Sequence, residues 1–319
     1  MNRPFLSRHP SGVALIIVLW AVSLIATAML GLAVLMERQI GQEVAALQNA
    51  RAMLVAESGI QMALNPELLR GDVEVASQQL SARLQEGWKV GKAAVPVKFT
   101  IRAEGEGGKL NINALLLGDK AVARAILQNL FAQWEVNLTT SSVLIDALLD
   151  WVDADQLSSG SNSATEVNVR NGPFEKIDEL EKVVGWAEMA KEAKEGEKGV
   201  DAIKKFTVFG TGKLSLRSAD ADVIEAWLRL NPGSAKNFIN ARPGVDKVDG
   251  TADDVVDLNS LSVQVPADWA DRITTEEEDL WRVTSTGSVG EAKRKVVALI
   301  SRKTNPPQVK ARWTDEESP

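Results

Sequence analysis

SGVALIIVLW, residues 11–20, opens an uncharged run that extends from Val13 to Met36 behind a glycine at position 12. Its length decides what it can be. A secretory signal core needs about 7–15 apolar residues and a small-residue cleavage site, whereas crossing a bilayer as a helix takes about 20. The run is long enough to span and is interrupted only by Ser23, Thr27 and Gly31; no A-x-A-like site followed by polar chain appears before Glu37. Arg3 and Arg8 lie before the run, while Glu37 and Arg38 cancel after it. The positive-inside rule therefore leaves the short N-terminus in the cytoplasm and exports the bulk of the chain. An anchor that is never cut remains the plain alternative.

The helical pattern continues outward. From Glu37 to Leu64 the apolar residues Ile40, Val44, Leu47, Leu54 and Met62 recur at helical spacing among Glu, Arg and Gln, with no proline before Asn65-Pro66. Val13–Leu64 reads as one helix of roughly 78 Å, half in lipid and half an amphipathic shaft outside it. The outer stripe suits either the chain's own sheet or partner helices, with packing on the sheet expected for the upper part and neighbours for the membrane half.

Composition narrows the chemistry. The chain holds 36 basic and 43 acidic residues, net −7, with 45% hydrophobic residues, enough for at least one core and, at 319 residues, for two domains. An acidic balance argues against a nucleic-acid partner. There is no Cys and no Tyr, and the single His is His9 in the leader. Without the leader the chain has no Ser-His or Cys-His nucleophile system and no His-ligated metal site. Carboxylate chemistry, oxygen-ligated cations and a non-catalytic role survive, and the last is the expectation.

Further along, Asp72–Gly87 reads as a second amphipathic helix, and Val95, Val97, Phe99 and Ile101 alternate with polar residues as a half-buried strand. Glu104–Gly108 is a turn and Lys109–Ala114 another short extended segment. Trp281–Ser285, a Gly287/Gly290 turn and Lys295–Ile300 form a hairpin. Strands thus flank a mostly helical middle, which predicts an α+β fold: a sheet packed on the long helix, with a helical domain inserted between its strands. GKLNINALL (108–116) and GKLSLRSAD (212–220) form a weak internal repeat, each leading into an apolar helix, Ala121–Trp134 and Ala221–Leu230. Gly185–Gly199 is rich in Ala, Lys and Glu without an apolar stripe and reads as a solvated insertion or mobile loop. After Lys303 the polar, proline-containing tail reads as disordered. Trp88, Trp134, Trp151, Trp186, Trp227, Trp269 and Trp281 are expected in the core or at a subunit edge.

The basic leader ending in Gly12, the aliphatic run and the outward helix resemble the class III signal of type IV prepilins and type II secretion pseudopilins. The resemblance implies cleavage by a prepilin peptidase between Gly12 and Val13, with Val13 becoming an N-methylated terminus. Most prepilins carry Glu at the fifth mature position, which here is Ile17. In the family that carboxylate pairs with the terminal amine of the adjacent subunit, since a carboxylate buried in lipid is costly unless paired. Its absence marks a tip position. With VALIIVLW, KLNINAL (109–115), LIDALLDWVDADQ (144–156) and NGPFEKIDELEKVVG (171–185), the chain is similar to the minor pseudopilin K family of the type II (general) secretion system. SSGSNSATEVNV, from position 158, departs from the acidic-aromatic segment that the family often has there.

That resemblance implies a pseudopilin fold: a long N-terminal α-helix packed on a small antiparallel sheet, with a large inserted α-helical domain. Its divisions are a leader at 1–12, a transmembrane half at 13–36, a pseudopilin core at 37–112, the inserted domain at 113–279, a C-terminal hairpin at 280–303 and a disordered tail at 304–319. It further implies assembly with minor pseudopilins I and J, with the major pseudopilin, the inner-membrane secretion platform and the prepilin peptidase, in a complex that initiates or caps the pseudopilus. The location implied is the bacterial inner membrane, single-pass, with the bulk of the chain in the periplasm.

Calcium is the sharpest chemical candidate. Asp246, Asp249, Asp253 and Asp254 lie in a glycine-containing loop that can offer several oxygen ligands to a hard cation. Asp150, Asp153 and Asp155 of DWVDAD form a second cluster, which Glu166 can join. A solvated acidic turn is the plain alternative for each. Catalytic use of these acids, as in glycoside hydrolysis, lacks any sign of a pair facing a cleft. A rival of another class is a membrane-anchored periplasmic helix-hairpin-helix protein binding DNA, from GKLSLRSADADVIEAWLRLNPGSAKNFINARPG (212–244). Its hairpin, Asn231–Ala235, lacks paired glycines and is not basic, so no nucleic-acid partner is expected.

Overall fold

The computed structural model describes residues 11–65, 89–90, 93–94, 97–153, 170–245, 256–257, 271–276 and 279–314. The expected helix at Asp72–Gly87 lies outside them, as do Trp88 and Trp269. α1, Ser11–Ala63, is an unbroken helix of 53 residues, about 80 Å long at 1.5 Å per residue. After it come the short paired strands β1, Lys89–Val90, and β2, Ala93–Ala94. β3 is Val97–Gly105, in which Val97, Phe99 and Ile101 point inward on alternate positions.

The inserted segment begins beyond a single 3-10 turn. β4, Leu110–Asn111, is stopped at once because the Asn111 side chain accepts from Ala114 N–H at 3.0 Å and caps α2, Ile112–Leu116. The extended reading of Lys109–Ala114 is therefore corrected to two residues of strand and a short helix. α3, Lys120–Gln133, starts at Asp119, whose carboxylate accepts from Ala121 and Val122 N–H. α4, Leu138–Val152, starts at the Asn137 cap. α5, Trp186–Glu195, buries Trp186, Met189 and Ala193 on one stripe. Gly185–Gly199 is thus helix in its greater part and belongs to the core; three apolar anchors suffice although Lys and Glu dominate the stretch. β5, Phe206–Thr207, β6, Leu214–Ser215, α6, Ala221–Trp227, α7, Lys236–Ala241, and β7, Ile273–Thr274, complete the insertion.

The two Gly-Lys-Leu repeats pack on each other reciprocally. A Cβ on Gly108 would sit 2.4 Å from the Ser218 carbonyl carbon, and one on Gly212 (φ +81°) would sit 2.6 Å from Ala114 Cβ. Each repeat's strand pairs in parallel with a two-residue partner: β4 with β5, and β6 with β7. Only residues without a side chain permit that approach.

The chain then returns to the first sheet with β8, Leu280–Val289, β9, Ala292–Ser301, and β10, Gln308–Thr314. The order is β10-β9-β8-β3, with every pair antiparallel. The tail read as disordered from 304 to 319 therefore contains an ordered strand over Gln308–Thr314. Its polar composition suits an edge strand, and Trp313 supplies the one large apolar anchor, 8% exposed.

Two cores result. One lies between α1 and the sheet and contains Ala52, Val55, Ala56, Ile60, Phe99, Val283, Val296 and Ile300. Helix and sheet meet along small residues: a Cβ on Gly287 would lie 2.3 Å from the Ala52 carbonyl oxygen, and one on Gly59 would lie 2.1 Å from Ser285 Oγ. The larger core fills the insertion, from Leu110 to Ile273. Within it Phe131, Trp134, Phe206 and Trp186 form an aromatic chain with ring centroids 5.7–6.2 Å apart.

Candidate functional site

The N-terminal half of α1 is the first candidate functional surface. Every residue from Val13 to Met36 is exposed, and α1 is the one helix among the described residues long and apolar enough to cross a bilayer. An apolar surface this long pays a large hydration cost in water, about 25 cal/mol per Å², which lipid or packed neighbours remove. Thr27 returns its hydroxyl proton to the Ser23 and Leu24 carbonyls, so its polarity is satisfied within the helix. Gly12 and Val13 lie in the first turn of α1, and Ile17 stands one turn further on, 62% exposed.

The outer stripe is the second surface, and here the sequence expectation is corrected. Ile40, Val44, Leu47 and Leu54 are exposed by 62, 48, 51 and 60% and do not pack on the sheet. Ala52, Val55, Ala56, Ile60 and Ala63 do. Helical spacing is common to both sets. What marks the sheet face is the small residues among its anchors, since Ala52, Ala56 and Gly59 let the helix approach Ser285 and Gly287 closely.

Three sequence stretches that carried the family resemblance meet at one node. Asn113, in KLNINAL, donates through Nδ2 to the Phe174 carbonyl at 2.8 Å and accepts from the Phe174 N–H at 2.8 Å. Phe174, in NGPF, stacks on Trp151 of the DWVDAD stretch with centroids 5.3 Å apart and planes 6° from parallel. Gly172 N–H donates to the Trp151 carbonyl at 3.2 Å. These residues hold α2, α4 and the loop after it together. The node is a packing joint in which the Asn113 amide is turned to the Phe174 backbone, while Trp151 Nε1 and Asn171 Oδ1 are buried with no partner among the described residues.

A second joint links the insertion to the sheet. Glu106, 1% exposed, accepts from Arg282 Nε and Nη2 at 2.7 and 2.6 Å, from Lys109 Nζ at 3.0 Å and from Thr207 Oγ1 at 2.5 Å. Burial pushes the carboxyl up, but the Arg282 bonds, the Lys109 and Arg282 charges and the Thr207 bond outweigh it and hold it below the usual glutamate range. Burial moves Lys109 the other way, below its usual value, with the Arg282 charge adding to burial against the pull of Glu106.

Of the calcium candidates, Asp246, Asp249, Asp253, Asp254 and Asp155 lie outside the described residues. Asp150 lies in the last turn of α4, and Asp153 follows its end, where its Oδ2 is 2.5 Å from Lys120 Nζ. Among the described residues no group of three or more His, Cys, Asp or Glu is placed to hold a metal ion. The helix-hairpin-helix reading loses its donors: Ala235 N–H donates to the buried Glu225 carboxylate at 2.8 Å, and Ser234 and Lys236 N–H donate to hairpin carbonyls. A carboxylate behind the hairpin repels phosphate.

Residues 108–193 match the family described as Type II secretion system (T2SS), protein K. The chain is 24% identical to the Type II secretion system protein K of Pseudomonas aeruginosa, over 92% of this chain and 90% of that protein. A solved chain in the crystal structure of the GspK-GspI-GspJ complex from the enterotoxigenic Escherichia coli Type 2 Secretion System superposes with a TM-score of 0.56 at 16% identity. That match covers 88% of this chain and all of that one. A long N-terminal helix on an antiparallel sheet, with helices inserted between its strands, is the pseudopilin fold shared with that solved chain. Within that likeness, the chain resembles the protein K family of the type II secretion system, through the match at residues 108–193 and the relative aligned over most of its length.

Proposed function

We propose that this chain sits at the tip of the type II secretion pseudopilus, where it initiates or caps assembly of the fibre that exports folded proteins across the outer membrane. The observation that carries the reading is the apolar half of α1 with Ile17 where assembled subunits have a carboxylate. A subunit lacking that carboxylate gains nothing from a neighbour's amine, which favours the position with no earlier subunit beneath it. The role is structural, not enzymatic, as the match of residues 108–193 to the protein K family supports. The partners are minor pseudopilins I and J, the major pseudopilin and the inner-membrane platform. I and J gain support from the complex in which the similar solved chain occurs. The chain spans the inner membrane once, N-terminus inside, and calcium bound by the acidic loops stabilises the exported part.

Processing tests this first. Full-length chain co-expressed with a prepilin peptidase should start at Val13, methylated, in the membrane fraction by mass spectrometry, and should start upstream of Gly12 without the peptidase. A peptidase-independent N-terminus in both preparations would make it an ordinary anchored protein.

A further inference from the structure

β10 touches all three parts of the molecule. It pairs along β9 with Ala311 opposite Leu299, Arg312 opposite Ala298 and Trp313 opposite Val297. Side chains alternate across a sheet, so neighbouring residues of β10 face opposite bodies. Ala298 belongs to the core against α1, and Arg312 on that face makes an ion pair with Glu57 of α1. Val297 and Leu299 lie on the other face, where Trp313 closes over them together with Phe209 from the loop between β5 and β6. Arg282 of β8 stands 5.2 Å from the centroid of the Trp313 ring and is itself the bidentate partner of Glu106.

Phe209 is tied to the insertion from behind. Its carbonyl accepts from Asn111 Nδ2 at 3.0 Å, and its N–H donates to Thr207 Oγ1 at 3.1 Å. It is thus a plug carried by the insertion and received by the strand. We propose that Gln308–Thr314 is a strap that sets the orientation of the inserted domain on the long helix. Arg312 fixes the strap to α1, the β9 ladder fixes it to the sheet, and Trp313 completes the apolar cluster with Val297 and Leu299 on which Phe209 packs. β10 is an edge strand with one ladder neighbour, so the strap can release without breaking the β9–β8 and β8–β3 pairs.

The chain has no native cysteine, so spin labels can be placed at Glu43→Cys on α1 and Lys191→Cys on α5, both exposed, in the full chain reconstituted in lipid nanodiscs. Pulsed electron paramagnetic resonance should give one narrow distance distribution for the otherwise unchanged chain. Phe209→Ala and Trp313→Ala should each at least double its width, while Val309→Ala, a strap residue 40% exposed and outside the Phe209 contact, should leave it narrow. Unchanged widths in both contact variants would overturn the proposal, as would equal broadening in Val309→Ala. Should Trp313→Ala unfold the sheet by circular dichroism, Phe209→Ala decides alone, because Phe209 lies in a loop outside the ladder.

Discussion

Glu106 shows how a residue with no local signal becomes central. In the sequence it sits in Glu-Gly-Glu-Gly-Gly and reads as part of a turn; its partner Arg282 lies 176 residues away. Removing one member of a buried ion pair costs about 3–5 kcal/mol, because the remaining charge is left uncompensated. Glu106→Gln should therefore lower stability by about 3 kcal/mol at neutral pH. The sign of the pH dependence follows from a folded pKa held below the usual 4.5. The carboxylate's contribution is complete above the unfolded value and is lost as pH falls through the lower folded value. The stability gap between parent and variant, read from denaturant unfolding, should be flat from pH 8 to 5 and narrow below about pH 4.5. A gap that stayed constant to pH 3 would show that the carboxylate's charge is not what stabilises this joint.

For α1 the question is which face does what. The apolar period marks Ile40, Val44, Leu47 and Leu54, yet Ala52, Ala56 and Gly59 make the closest approach to the sheet. Substituting Val44 and Leu47 by Gln should leave the unfolding free energy within about 0.5 kcal/mol, as for exposed positions generally. Retention of minor pseudopilins I and J by the full chain in detergent should fall at least tenfold in the same variant. Undiminished retention would put the partner contact elsewhere. Ile60→Ala, on the sheet face, should instead cost about 2–5 kcal/mol. α5 teaches a related lesson. A helix needs few apolar anchors when neighbouring elements supply the rest of the wall, so Lys and Glu on its outer side hide its role.

Across the whole molecule, two cores meet through the Glu106–Arg282–Thr207 joint and the packing of Phe209 on the Val297–Leu299–Trp313 cluster. The proposed calcium ligands belong to the part proposed to be exported. Binding to the folded state alone stabilises by RT ln(1 + [L]/Kd), about 2.7 kcal/mol at a hundredfold excess over Kd. Thermal unfolding of the full chain in calcium should therefore show a higher midpoint than in chelator. Equal midpoints would remove calcium as a structural ligand.

The sequence alone was sufficient for features that depend on neighbours along the chain. The length of the Val13–Met36 run, the helix that continues from it, the alternation from Val97 to Ile101, and the hairpin of β8 and β9 are all local periodicities, although β8 runs through Gly287 and the turn falls at Gly290–Glu291 rather than across Gly287/Gly290; local periodicity survives without a partner. It also carried the family resemblance, through KLNINAL, DWVDAD and NGPF, though nothing local shows that these segments meet at Asn113, Phe174 and Trp151. Tertiary structure decided which face of α1 meets the sheet, that α5 is core, that the tail contributes an edge strand, and that Glu106 receives a distant arginine. Each depends on close approach between residues far apart in the chain. Steric fit at Gly59 and Gly287, and desolvation at Glu106 and Trp313, exist only once both partners are in place.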